Sequence, residues 1–213
     1  MSAVVVVGAG PGVSGSLARL YAAEGWSVGL VGNDEAVLAD LAATLVGVQV
    51  ERRVADVSDP VAGRQAVADV AERLGRVDVL HVNPSAYREA DPLHLTVEDL
   101  LVDVRLGVGV LLTAVQAAHP WMGPGARVSA TGSMAADEPN HVAASLGVQK
   151  AGLRNLVLSL DRTLQAEGMR AVSVTVRGAL AKEGTFSPDS VAAAILAATR
   201  QDEAAWQAEV SHP

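Results

Sequence analysis

Six short runs rich in Val and other β-branched residues, at 3–8, 27–31, 48–54, 77–82, 126–131 and 171–176, recur along the chain, each too short for an ordinary helix. They read as buried strands. Between them apolar residues recur at helical spacing, as in Val13, Leu17, Leu20 and Tyr21, which puts one apolar stripe on a helix. Near-continuous apolar strands alternating with helices predict a parallel sheet covered on both faces, because right-handed crossovers place the helices there. The expectation is an α/β fold, a doubly wound parallel sheet in three layers with six or seven strands. With no repeat and no linker, it forms a single domain over 1–213. Helix starts are marked by Ser58 or Asp59 before Pro60, by Thr96 with Asp99, and by Ser187 before Pro188. Trp206, Ala208 and Val210 alternate as a last strand closing a sheet edge.

Such sheets bind ligands at the carboxyl ends of their strands, where strand order reverses. The turn after the first strand reads Gly8-Ala9-Gly10-Pro11-Gly12-Val13-Ser14-Gly15. Four glycines between a strand and a helix let the backbone approach a diphosphate, and the helix N-terminus adds N–H donors and partial positive charge. A Rossmann-type dinucleotide site is therefore expected. Composition removes other classes. A net charge of -8 with no basic run argues against nucleic acid and anionic lipid, and three Trp, two Tyr and one Phe are too few for base-stacking platforms. Without cysteine there are no disulfides or thiolate chemistry, and His81, His94, His119 and His212 lack ligand spacing, so no metal is expected. Uninterrupted apolar stretches are of strand length, which argues against a membrane span; the strand-like Ala3–Val7 opening, in place of a basic leader, reads as cytoplasmic.

Gly8 and Gly12 with Ser14 at the third position, Ala55-Asp56-Val57, Val82-Asn83, and Ser133 with Lys150 follow one another in the order of a known pattern. On these residues the chain resembles the short-chain dehydrogenase/reductase family. The resemblance implies NAD or NADP, with Gly8, Gly10, Gly12, Val13 and Ser14 around the diphosphate, Asp56 and Val57 at the adenine, and Asn33, Asn83 and Lys150 along the rest of the coenzyme. Gly32 stands where NAD-preferring relatives place Asp, and Asn33 where many NADP-preferring relatives place Arg, so the preference stays open.

The catalytic face departs from the family. Its Tyr, four residues before the Lys, is Leu146, and its helix Asn is Gly107. Ser133 keeps its spacing, thirteen residues before Leu146. Asn83 is followed by Pro84-Ser85, the turn after the sixth strand is Arg177-Gly178, and the segment beyond it is short, implying a trimmed substrate lid. A substitute proton donor must lie at the same strand ends, and His141 and Tyr87 are the candidates beside Ser133 and Lys150. Asp137 and Glu138 read as a solvated loop edge. The resulting expectation is an atypical NAD(P)-dependent oxidoreductase acting on a small carbonyl or alcohol with a non-standard proton donor. The alternatives are a non-redox cyclase, isomerase or dehydratase on the same fold, or a coenzyme-binding pseudoenzyme. The helices at 96–119 and 141–167 carry more apolar residues than a one-sided stripe needs, and the resemblance, in which these helices form subunit contacts, implies a homodimer or homotetramer.

Overall fold

A computed structural model describes residues Met1–Pro213. Strands β1 (Ala3–Val7), β2 (Ser27–Gly32), β3 (Val50–Val54), β4 (Val79–Val82), β5 (Arg127–Ser133), β6 (Arg170–Val176) and β7 (Glu209–His212) form one seven-stranded sheet, ordered β3-β2-β1-β4-β5-β6-β7. Every pairing is parallel. The order reverses between β1 and β4, which opens a crevice at their carboxyl ends.

Helices α1 (Val13–Ala23), α2 (Glu35–Ala43) and α7 (Pro188–Ala198) cover one face, burying Leu17, Tyr21, Leu38, Leu41 and Ile195 against Val4, Val6, Val172 and Val174. Helices α3 (Pro60–Leu74), α4 (Val97–Val104), α5 (Val110–Ala118) and α6 (Ala144–Gln165) cover the other, where Val67, Val70, Leu111, Leu153 and Val157 pack on Val5, Leu80 and Val128. The Tyr21 hydroxyl bonds Thr199 Oγ1 at 2.9 Å, tying α1 to the end of α7. The expected caps form: Asp59 accepts from Val61 and Ala62, Thr96 from Asp99, and Ser187 from Ser190. At one edge β3 presents Val-Glu-Arg-Arg-Val, whose charges discourage strand addition.

Two details differ from the expectation. Trp206 precedes β7 instead of starting it: the guanidinium carbons of Arg127 and Arg170 lie 5.0 and 4.9 Å from its ring centroid, so cation–π packing and not strand alternation fixes it. The helical run Val97–Trp121 is long and apolar enough to cross a membrane, a length that strand-sized apolar stretches did not suggest. In the fold it packs one side along α3 and α6 and leaves the other exposed, and it is interrupted by a π-helical turn at Arg105–Gly109.

Candidate functional site

The glycine turn is built by steric necessity. Gly8 adopts φ +78°, and a β-carbon there would stand 2.7 Å from Pro84 Cδ, so the loop after β4 packs directly on the turn. The N–H groups of Gly8 and Ala9 both reach the carbonyl of Val31, each at 2.9 Å. Ser14 is buried; its hydroxyl accepts from Gly10 N–H at 3.0 Å and lies 3.1 Å from the Gly8 carbonyl, cinching the turn. The hydroxyl of Ser14 is therefore occupied within the loop, and what remains for an anion is the α1 N-terminus, which no side chain caps. Space beside Gly10 and Gly12 is open, with no atom within 4 Å of either missing β-carbon. Gly15 takes over the close-packing duty of the pattern's third glycine: a β-carbon on it would collide with the Gly10 carbonyl.

Farther along the strand ends, Asn33 is exposed after β2, Asp34 caps α2 by accepting from Val37 N–H at 3.0 Å, and Glu35 pairs with Arg52. Asp56 is exposed and its Oδ1 accepts from both the backbone N–H and the hydroxyl of Ser58, which holds its carboxyl below the usual range. Val57 turns its side chain into the core.

A cavity of about 570 Å³ runs from Gly12 and Val13 past Asn83, Tyr87, Ser133 and Lys150 to Leu180. Lys150 is 5% exposed, and its Nζ donates to the carbonyl of Thr131 at 2.9 Å. No carboxylate forms an ion pair with it, and burial pulls its pKa down to about 8. Ser133 Oγ accepts from Ala135 N–H at 3.2 Å, which leaves its own proton free to donate into the cavity. Leu146, half-buried, lines the cavity where the pattern's phenol would stand.

Beneath Asn83 lies a polar chain that residue types alone did not suggest. His81 is fully buried, with Nδ1 2.9 Å from Ser129 Oγ and Nε2 3.3 Å from Thr131 Oγ1, and Thr131 in turn donates to Asn83 Oδ1 at 2.7 Å. Since Thr131 spends its only proton on Asn83, it must accept from His81 Nε2–H, and Ser129 must donate to Nδ1. Burial drives the His81 pKa down to about 3, so the ring stays neutral.

Of the two donor candidates, the structure brings Tyr87 into the cavity, while His141 lies on the exposed loop before α6 and lines a neighbouring apolar hollow with Leu95, Leu100 and Val148. The hollow and the cavity share only Asn140. Asp137 and Glu138 are not simply a solvated edge. Asp137 accepts from Arg177 at 2.6 Å and pairs with Arg154, joining the loops after β5 and β6 to α6, and Glu138 lines the cavity. The trimmed segment after β6 is pinned down: Phe186 Cδ2 lies 2.6 Å from where a β-carbon on Gly178 would be, and His212 Nε2 bonds the Thr185 carbonyl at 2.7 Å.

Residues 2–182 match the family model described as short chain dehydrogenase. A meso-2,3-butanediol dehydrogenase of Serratia marcescens is 35% identical over 96 residues, covering 45% of this chain but only 38% of that protein. Sulfoacetaldehyde reductase 2 of Chromohalobacter salexigens is 28% identical over 176 residues, 80% of this chain and 70% of the relative. Among solved structures, a short chain dehydrogenase from Burkholderia cenocepacia in complex with NADP superposes with TM-score 0.85 at 26% identity, covering 99% of this chain and 95% of the other. A short-chain dehydrogenase/reductase from Serratia marcescens gives 0.88 at 20% identity with the same coverages.

Proposed function

The chain belongs to the short-chain dehydrogenase/reductase family, and from that premise we propose that it is an NAD(P)-dependent oxidoreductase interconverting a small carbonyl and its alcohol. The observation that carries this reading is Lys150: a buried ammonium is costly to keep without a partner, yet this one sits unpaired by any carboxylate at the cavity, with N–H donors to spare. The glycine turn supports it, since open space beside Gly10 and Gly12 faces an uncapped helix N-terminus fit for a diphosphate.

A nicotinamide coenzyme, when bound, supplies or takes up the hydride. The chain's own residues do the rest. Gly12, Val13 and the first turn of α1 hold the diphosphate, Asp56 and Val57 border the adenine, and Asn83 and Lys150 hold the ribose end. Ser133 donates to the substrate oxygen and polarises the carbonyl. With Leu146 in place of a phenol, Lys150 holds the proton that the oxygen receives; a pKa of about 8 is close to working pH, where a general acid is most effective. Tyr87, in the same cavity, orients the substrate. Neither nearby carboxylate at the adenosine end is free to repel a 2′-phosphate, because Asp34 caps α2 and Glu35 is paired with Arg52, so both NAD and NADP remain admissible. Exposed Leu101, Val102 and Leu112 along α4 and α5, with Val148 on α6, support a homodimer or homotetramer.

Titrating NADH and NADPH into the protein, then following their oxidation with a panel of small ketones and aldehydes, tests the proposal. Turnover should fall as pH rises through about 8, and Lys150→Arg, whose guanidinium cannot give up its proton in this range, should lose carbonyl reduction at every pH. The missing phenol favours one rival, a non-redox isomerase or dehydratase; tight coenzyme binding with no coenzyme oxidation by any carbonyl would select it.

A further inference from the structure

Gly107 lies buried in the π-helical turn, and a β-carbon built on it would stand 2.7 Å from Cγ and 2.8 Å from Cβ of Gln149. Any side chain at 107 and the glutamine at 149 thus exclude each other. Gln149 is fully buried, and its amide grips both backbone groups of one residue: Ala86 N–H donates to Oε1 at 3.0 Å, and Nε2 donates to the Ala86 carbonyl at 3.2 Å. The next residue is Tyr87, 62% exposed, without a hydrogen bond of its own, yet lining the cavity. On its other side Arg88 donates through Nε and Nη2 to Asp103 at 2.9 and 3.0 Å, and Ser145 Oγ donates to the same carboxylate at 2.7 Å. Between β4 and α4 the segment forms no strand, only an isolated bridge from Ala90 to Ala143. Its shape beside Tyr87 therefore comes from these two clamps.

We propose that Gln149 is a positioning residue: admitted by the missing side chain at Gly107, it fixes Ala86 and thereby holds the Tyr87 phenol over the cavity, where it orients the substrate oxygen. This rests on the oxidoreductase reading above for the substrate, but not for the clamp. Removing the amide while keeping the volume should free the loop without touching Lys150 or the glycine turn.

The test is Gln149→Met, alone and combined with Tyr87→Phe. Amide exchange at residues 86–88 should quicken at least tenfold, KM for a turned-over carbonyl should rise at least fivefold with kcat within twofold, and NADPH affinity should stay within twofold. Because the glutamine acts through the phenol, Tyr87→Phe should add no further rise in KM in the Gln149→Met background. Unchanged exchange, or losses that multiply in the double variant, would overturn the proposal. If Gln149→Met does not fold, Gly107→Ala supplies the same readout by pushing the glutamine out, and exchange at 86–88 that stays at the wild-type rate would equally overturn it. A protein that binds no coenzyme would sink the oxidoreductase reading instead, while the exchange measurement still decides the clamp.

Discussion

Lys150 Nζ stands 2.9 Å from the carbonyl oxygen of Thr131, and His81, the ring its charge acts on, is neutral. Its charge is thus held by dipoles alone. A lysine whose folded pKa is about 8, below the ordinary 10.5, binds fewer protons folded than unfolded between those values, so stability should rise with pH across that window. Lys150→Met should therefore be more stable than the wild type at pH 7, by on the order of 2–3 kcal/mol, and lose that advantage between pH 8 and 10.5. Denaturant melts at several pH values check this, and coenzyme titration should show binding lost in the same variant.

His81 sets the opposite limb. Its folded pKa of about 3 lies below the ordinary 6.5, so its contribution is complete above pH 6.5 and is lost progressively as pH falls toward 3. Between pH 6.5 and 5 the loss should be about 2 kcal/mol, before Asp103 and Asp161 titrate. His81→Leu should flatten the slope in that interval while costing roughly 1–3 kcal/mol at pH 7, because Ser129 keeps a buried hydroxyl without its acceptor. Urea midpoints against pH in both proteins are the measurement.

Two glycines of one turn should respond differently to alanine. Gly10 has no atom within 4 Å of its missing β-carbon, so Gly10→Ala should leave the melting temperature nearly unchanged and weaken coenzyme at least tenfold by intruding on the diphosphate. At Gly15 the added carbon meets the Gly10 carbonyl, so Gly15→Ala should destabilise the fold as well. Calorimetry paired with coenzyme fluorescence separates the cases.

Leu146 sits one helical turn before Lys150 on the cavity wall. Leu146→Tyr should place a phenol on the same face, with its pKa lowered by the ammonium, and raise the rate of carbonyl reduction by roughly 10²-fold if general acid supply limits turnover. Stopped-flow oxidation of the coenzyme with wild type and variant reads the gain directly.

The layered sheet was legible because strand-sized Val runs and helical stripes are properties of neighbouring residues, as were the caps at Asp59, Thr96 and Ser187. The glycine turn was legible for the same reason, although the duty assigned to Ser14 belongs partly to Gly15, a distinction that depends on how the loop folds over the helix. What spacing could not show was anything joined across the fold. The fit of Gln149 against Gly107 joins positions separated by 41 intervening residues. His81 looked like a stray histidine until Ser129 and Thr131 came alongside through the register of β4 and β5. His141 lines the neighbouring hollow and not the Lys150 cavity, and adjacency to a helix start says nothing about which side of a loop a ring occupies.

Phe186 wedged against Gly178 has a kinetic corollary. If this wedge keeps the segment after β6 in place during turnover, molecules should enter and leave at rates set by diffusion and desolvation. Thickening the solvent should slow capture but leave the rate at saturation almost untouched, and long substrates should be free to trail out into water.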